Sequence, residues 1–258
     1  MTEELLVRDV MSKPVTIAKS SAITEALDRM IDIGIDPLIV VNHNTVVGTV
    51  SRMTIADKLG SKKNSTISPN AIHVANSVEE DFTTVYPDQD LDVLVPLLQR
   101  YKLVVVFDSE HHLIGQVTAG DMLRKMRPAG TLLDHSEKVY TIDSEDRVVH
   151  LRRRMLDDGI QRFVVTEKDQ PIGIVTETDV AVAMRKFREI VEDRHQDHRI
   201  RNLLVRDIMS APLVTIDVTG TIDQAVEQMV SKNICAIPIT EQGRLIGIVT
   251  RASLIQAL

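Results

Sequence analysis

Ile23, Ala26, Leu27, Met30 and Ile31 fall at i, i+3, i+4, i+7 and i+8 along the chain. That spacing predicts one apolar face of an amphipathic helix. Ile222, Ala225, Val226, Met229 and Val230 repeat it, and Thr221 with Gln224 predicts a capping box at that second helix. β-rich runs follow such helices, as PLIVV, LVVVF, RFVVT and AIPIT. Each run leads through a short polar turn into an apolar strand containing a glycine. These strands read VVGTVSRMT to Thr54, LIGQVTAGD to Asp121, PIGIVTETD to Asp179 and LIGIVTRAS to Ser253.

The pattern therefore occurs four times, as strand, helix, strand, strand, helix. Spacing supports it: Thr16, Thr84, Thr141 and Thr215 each stand 7 residues before Ile23, Leu91, Val148 and Ile222. From those residues to Gly48, Gly115, Gly173 and Gly247 the distances are 25, 24, 25 and 25. VRDVMSKPVTI at 7–17 also returns as VRDIMSAPLVTI at 205–216. In the second copy Pro96 lies inside the helical pattern, so that helix is expected to start late or bend. The segments 60–70 and 188–202 lie outside the pattern; the first has linker composition, and the second is charge-dense and expected to prolong the preceding helix as a solvated connector.

Composition narrows the function classes. The chain has 258 residues, 43% hydrophobic and 26% charged, as expected of a globular protein. Aromatic residues are 3% with no Trp, which leaves little material for stacking on single-stranded nucleic acid. A net charge of −7 disfavours broad polyanion binding. Cys235 is the single cysteine, which excludes an intrachain disulfide and any multi-cysteine zinc site and favours a reducing cytosol. No stretch approaches the ~18 apolar residues of a membrane span and no signal peptide is evident, so a cytoplasmic protein without a membrane segment is expected.

Four repeats ending in a G-h-h-[ST]-x-x-D-like stretch, two of them opening on RD-[VI]-M-S-x-P, resemble cystathionine-β-synthase (CBS) domains. The resemblance implies an α/β (α+β) fold with repeats at about 5–60, 71–126, 131–186 and 203–258. They would pair into two Bateman modules, 1–128 and 129–258, forming a disk within one chain or in a homodimer. It further implies a non-catalytic sensor of AMP, ADP or ATP, with S-adenosylmethionine as another ligand class, and an unknown regulated protein as partner. No cofactor is required. Within the family the chain resembles stand-alone archaeal or bacterial four-repeat proteins and the gamma regulatory subunit of AMP-activated protein kinase.

The site residues follow from the motif. Ser51, Thr118, Thr176 and Thr250 carry the hydroxyl, and the last motif position is Thr54, Asp121, Asp179 and Ser253. A hydroxyl followed three residues later by Asp can be an N-cap with its capping box. The same helix start can also face an anion and offer a carboxylate to hydroxyls. By resemblance the hydroxyl lies near phosphate and the Asp takes the ribose, so the clefts of the second and third repeats are the stronger nucleotide candidates. Arg162 stands where kinase gamma subunits contact phosphate, and Lys102 is similar in the second repeat, with its register open. Thr16, Thr84, Thr141 and Thr215 would contact adenine largely through backbone, or serve only β-propensity. The remaining candidates have blander readings. Arg152, Arg153 and Arg154 fit the wet side of a helix, His195 and His198 a solvated charged helix, His111 and His112 a polar turn, and Cys235 the core. The alternatives are a scaffold with vestigial clefts, a nucleic-acid binder, or a nucleotide hydrolase, for which no nucleophile beside a base is evident.

Overall fold

A computed structural model describes residues 5–60, 67–190 and 202–258. In repeat 1 a short helix α1 (Val7–Val10) precedes β1 (Thr16–Ala18), α2 (Ile23–Ile33), β2 (Leu38–Asn42), β3 (Thr45–Val50) and α3 (Arg52–Gly60). Repeat 2 gives β4 (Thr83–Val85), α4 (Leu94–Arg100), β5 (Leu103–Phe107), β6 (Leu113–Thr118) and α5 (Ala119–Lys125). Repeat 3 gives β7 (Thr141–Asp143), α6 (Val148–Asp158), β8 (Arg162–Glu167), β9 (Gln170–Thr176) and α7 (Glu177–Ile190). Repeat 4 gives β10 (Ile216–Asp217), α8 (Ile222–Ser231), β11 (Ala236–Glu241), β12 (Arg244–Thr250) and α9 (Arg251–Ile255). Each repeat is thus the predicted strand, helix, strand, strand, helix. Helix α7 continues to Ile190, and the rest of that expected connector, with His195 and His198, lies outside the described residues, as do residues 61–66 of the other.

Each repeat forms one three-stranded sheet, with its first strand parallel to the second and the second antiparallel to the third. The helical stripes bury as the spacing predicts: Ile23, Ala26, Leu27 and Met30 are fully buried in α2. Ile31 and Val230, also assigned to those stripes, are instead exposed. A residue eight positions on lies about 80° around the helix from the first, at the stripe's edge. Helix α4 starts late, as Pro96 requires: Leu91–Val93 form a 3₁₀ turn and the α-helix begins only at Leu94. Proline then occupies the first turn, where its missing N–H has no partner to lose.

Two large cores hold the repeats together, and they do not follow chain order. One unites α2, β2 and α3 of repeat 1 with α6, β8 and α7 of repeat 3, and the other unites repeats 2 and 4. A smaller cluster of Ile39, Val46, Leu103 and Val105 joins the sheets of repeats 1 and 2. Each aliphatic side chain removed from water contributes roughly 1.5–3 kcal/mol. The modules therefore face each other within one chain, α3 against α7 and α5 against α9.

Within a module the tie is an exchange of lead segments. Ser12, ahead of β1, pairs with Gln116 on β6, and Glu79, ahead of β4, pairs with Thr49 on β3. The second module repeats this, with Ser210 on Ile174 and Glu137 on Ile248. Each crossing makes two backbone hydrogen bonds of 2.8–3.1 Å. The four repeated glycines lie at these crossings. A Cβ on Gly48 would overlap the Glu79 carbonyl, one on Gly115 would sit 2.9 Å from Met11 Sδ, one on Gly173 2.8 Å from the Ser210 carbonyl, and one on Gly247 3.1 Å from Ser136 Cβ. The glycines are where a neighbouring backbone crosses the sheet.

Candidate functional site

The hydroxyl positions head the last helix of each repeat, and each is hydrogen-bonded to the residue three positions on. In repeat 2 the Asp121 N–H donates to Thr118 Oγ1 at 3.3 Å, while Asp121 Oδ2 accepts the Thr118 N–H at 2.9 Å and its hydroxyl at 2.6 Å. In repeat 3 Asp179 Oδ2 accepts the Thr176 N–H and hydroxyl, both at 2.7 Å. In repeat 4 Thr250 and Ser253 exchange bonds of 3.0 and 2.9 Å. In repeat 1 Ser51 and Thr54 do so at 3.2 and 3.3 Å. A hydroxyl substitutes for the carboxylate as capping partner, so the cap alone does not explain Asp in repeats 2 and 3.

The second carboxylate oxygens differ. Asp121 Oδ1 accepts Arg124 Nη1 at 3.0 Å, an ion pair within one turn of α5. Asp179 Oδ1 accepts the Ser210 hydroxyl at 3.1 Å, and burial pushes the Asp179 carboxyl above its ordinary range against the lowering effect of the Thr176 and Ser210 hydrogen bonds. Ser210 belongs to the lead segment of repeat 4. The MS segments thus meet the Asp-bearing repeats: Met11 and Ser12 cross β6, the strand that leads to the Asp121 helix, and Met209 and Ser210 cross β9, the strand that leads to the Asp179 helix. The RD-[VI]-M-S-x-P openings of repeats 1 and 4 thus pair with the third strands of repeats 2 and 3, the repeats that carry the aspartates.

The threonines ahead of each first helix take equivalent ladder positions. Thr16 pairs with Ile39, Thr84 with Val105 and Thr141 with Val164, each two residues beyond the residue opposite the hydroxyl position, and Thr215 stands one before Ile216, whose partner is Ile239. Neighbouring residues in a ladder point to one face. Thr84, Thr141 and Thr215 are exposed and Thr16 half-buried.

Arg162 opens β8 directly opposite Thr176, so repeat 3 brings Arg162, Thr176 and Asp179 to one end of its sheet. The open register of Lys102 resolves against equivalence. Leu103, not Lys102, faces Thr118, so Lys102 corresponds to Gln161 and stands one residue ahead of the Arg162 position. Its side chain leaves repeat 2 and lies 3.9 Å from Glu177 and 4.0 Å from Asp36. Burial pushes the Glu177 carboxyl above its ordinary range, opposed by Lys102, Arg162 and Arg52 and reinforced by Asp36. Three cations from three repeats therefore surround two carboxylates where the modules meet.

Arg52 was missed from the sequence. Its backbone N–H donates to Asp36 at 2.9 Å, Nη2 to the Met30 carbonyl at 2.6 Å, and Nη1 to Thr178 Oγ1 of repeat 3 at 3.1 Å. Arg251 takes the same place in repeat 4, with Nη2 donating to the Met229 carbonyl at 2.8 Å and Nη1 beside Gly120 of repeat 2. The signal was legible: Arg follows the hydroxyl in SRMT and TRAS, the two repeats without Asp, whereas Ala and Glu follow it in TAGD and TETD.

Other expectations are corrected. Cys235 is exposed at the turn before β11 rather than in the core, and its carbonyl accepts the Arg251 N–H. Of the three arginines assigned to a wet helix side, Arg153 is exposed, Arg152 pairs with Asp57 at 3.7 Å, and Arg154 lies 4.5 Å above the Phe163 ring and donates to the Thr141 carbonyl at 3.3 Å. Among the described residues no group of three or more His, Cys, Asp or Glu is placed to hold a metal ion, and no helix is long and apolar enough to cross a membrane.

Comparison with known proteins agrees with this geometry. The family profile of the CBS domain matches at residues 7–61, 74–128, 132–186 and 205–258. Protein MK0525 of Methanopyrus kandleri is 35% identical over 120 residues, 46% of this chain and 57% of its own length. Protein MJ1404 of Methanocaldococcus jannaschii is 25% identical over 262 residues, 97% of this chain and 61% of its own length, so the chain spans about three-fifths of each of these relatives. MJ1225 of the same organism is 25% identical and covered to 95% in both chains. Its crystal structure superposes with a TM-score of 0.79 at 24% identity over 98% of this chain and 99% of that one, and MJ1225 has been proposed as an archaeal homolog of the AMP-activated kinase gamma subunit. A conserved protein of Pyrococcus horikoshii superposes with a TM-score of 0.63 at 20% identity over 98% and 99%. With matches to the family over all four repeats, this chain belongs to the CBS-domain family.

Proposed function

We propose that this protein is a non-catalytic regulatory protein that binds an adenosine nucleotide, AMP, ADP or ATP, in the Asp121 and Asp179 clefts. The observation that carries the reading is the company of Asp179. Its carboxylate stands at a hydroxyl-capped helix start, opposite Arg162, under a lead segment that supplies Ser210, and near a cationic group completed by Lys102 and Arg52. The helix start and the guanidinium fork suit phosphate oxygens, and a carboxylate suits a pair of ribose hydroxyls. In the Asp121 cleft Leu103 replaces the arginine, and the groups left for phosphate are the helix start, Thr118 and Arg251 of repeat 4, whose Nη1 lies beside Gly120. The repeat 1 and repeat 4 clefts, with Ser51 and Thr250 but Thr54 and Ser253 in place of the aspartate, are weaker sites.

The output runs through the face where the modules meet. Glu177 and Thr178 begin the helix that ends the Asp179 cleft, and they touch Lys102 and Arg52 of the other module. A nucleotide at Thr176 shifts the modules only so far as it binds one arrangement better. That difference is what a partner protein reads.

Thermal unfolding with AMP, ADP, ATP and S-adenosylmethionine tests the reading. Ligand at 100 times its dissociation constant adds ~2.7 kcal/mol, which raises the melting temperature by about 5–10 °C at ~2–4 °C per kcal/mol. No shift with any of the four overturns it. Asp179→Ala is expected to cost about 1 kcal/mol through the cap and also to reduce the nucleotide shift. An unchanged shift removes Asp179 from the site. Sustained ATP turnover lost in a cleft variant would favour the hydrolase alternative.

A further inference from the structure

Gln116 is fully buried on β6 beside Gly115, and its side chain is committed at one end only. Its Oε1 accepts the Val15 N–H at 2.9 Å. A backbone N–H needs an acceptor, so this bond fixes which end of the amide is oxygen. The Nε2 end is buried and finds no acceptor among the described residues. Buried amide donors are rarely left without a partner.

The register states which way this side chain faces. Thr84, Val105 and Gln116 form one row across β4, β5 and β6, and Thr118 lies two residues further along the same strand. Row partners and residues two apart share a face. Gln116 is therefore on the face that carries Thr84 and Thr118, across β5 from Thr84 and two residues from Thr118 on its own strand. The equivalent third positions of the row are Thr49 in repeat 1, Ile174 in repeat 3 and Ile248 in repeat 4. A free amide donor is thus peculiar to the repeat 2 cleft among the four, and the corresponding place in the Asp179 cleft is aliphatic.

We infer that Gln116 is a ligand-selecting residue of the Asp121 cleft, donating its amide N–H to an acceptor on the purine base of the bound nucleotide. Because Oε1 is held by Val15, the amide can only donate, so it reads a ring nitrogen or a carbonyl and not an amino group. The Asp121 cleft then selects its ligand by the base, and the Asp179 cleft, with Ile174 there and cations around it, selects by phosphate. This inference rests on the nucleotide reading above.

The test isolates the Asp121 cleft with Asp179→Ala and measures AMP binding by calorimetry on the full chain. Adding Gln116→Leu is expected to weaken AMP roughly tenfold or more, as for loss of a buried hydrogen-bond donor. Gln116→Glu separates base reading from a purely structural tie, because a carboxyl keeps an acceptor for Val15 and donates only when protonated. AMP affinity of that variant, taken at each pH as a ratio to the parent's so that titration of the AMP phosphate at about pH 6 cancels, should be reduced roughly tenfold at pH 8.5, and the deficit should shrink as pH falls to 5.5 toward the carboxyl range. AMP affinity within twofold of the parent for both variants at both pH values overturns the inference while leaving the nucleotide reading intact. If AMP and ATP bind neither the wild type nor Asp179→Ala, the nucleotide reading fails and takes this inference with it.

Discussion

Replacing the repeated glycines by alanine separates two explanations of the same motif. If glycine is needed because a neighbouring backbone crosses it, alanine destabilises the protein without any ligand. If it is needed so that phosphate can approach, stability is untouched and only binding suffers. The structure sets the size and order of the effect. At Gly173 the new Cβ would stand 2.8 Å from the Ser210 carbonyl and 2.9 Å from Met209 Sδ, on a strand held by Ile174–Ser210 hydrogen bonds of 3.0 and 2.8 Å. Backbone cannot rotate away, so the overpacking cost of about 1–3 kcal/mol is joined by weakening of one or both bonds at about 1 kcal/mol each. Gly173→Ala should therefore lose about 2–4 kcal/mol, or ~5–15 °C in melting temperature. Gly48→Ala should lose more, since its φ of +148° is already unfavourable for a side chain and its Cβ overlaps the Glu79 carbonyl. Gly247→Ala should lose less, because its nearest neighbours are the Cβ and Oγ of Ser136, at 3.1 and 3.3 Å. Gly159, with φ +67° and nothing within 4 Å, supplies the control, with about 1 kcal/mol from backbone strain alone. Differential scanning calorimetry of the four variants without nucleotide gives the ranking. A Gly173→Ala protein as stable as the wild type would refute the crossing argument.

Other predictions follow from the face between the modules. Arg52→Ala removes two guanidinium hydrogen bonds, to Met30 and Thr178. Charged donors contribute about 1.5–3 kcal/mol each, reduced here because Nε is buried without a partner, so a net loss of about 2–3 kcal/mol is expected by urea unfolding. A change below ~0.5 kcal/mol would show that Arg52 is not a tether. Glu177→Gln should raise the melting temperature near pH 7. The folded carboxyl titrates above the unfolded one, so its favourable contribution is complete below the unfolded value of about 4.3 and is lost as pH rises through the folded value. The gap between variant and wild type should accordingly close as pH falls toward 4, and a variant less stable at pH 7 than at pH 4 relative to wild type contradicts the burial argument. Arg251→Ala should destabilise less than Arg52→Ala, because Arg251 Nη1 faces Gly120, which offers no side-chain acceptor.

Local order was readable from the sequence. The helix stripes, the late start forced by Pro96 and the four caps each depend on residues within one turn or one strand, where periodicity and hydroxyl spacing carry the information. Neighbour relations were not. That α3 packs on α7, and that Ser12 lies on Gln116 some hundred positions away, depends on pieces each of which is also satisfied by its own repeat's pattern. Glycine signals that something passes close, but not what. Lys102 shows the same limit: a one-residue difference in spacing left its register open, and its side chain serves a group in repeat 3 rather than its own repeat. Arg52 and Arg251 were visible in principle, through the alternation of Arg and Asp among the four motif endings.

The exchanged lead segments also set an order of assembly. Residue 12 emerges from the ribosome early but seats only when Gln116 exists, and the sheet of repeat 1 is completed by Glu79, which is made after it. A nascent chain that ends between repeats has an unfilled sheet edge and a lead strand with nowhere to pair, both of which invite pairing with another chain. The smallest unit that closes its own edges is a module of two repeats. Fragments cut between modules should stay soluble more readily than fragments cut between repeats, and an exchange of lead segments between two chains would build the same crossing at the same glycine.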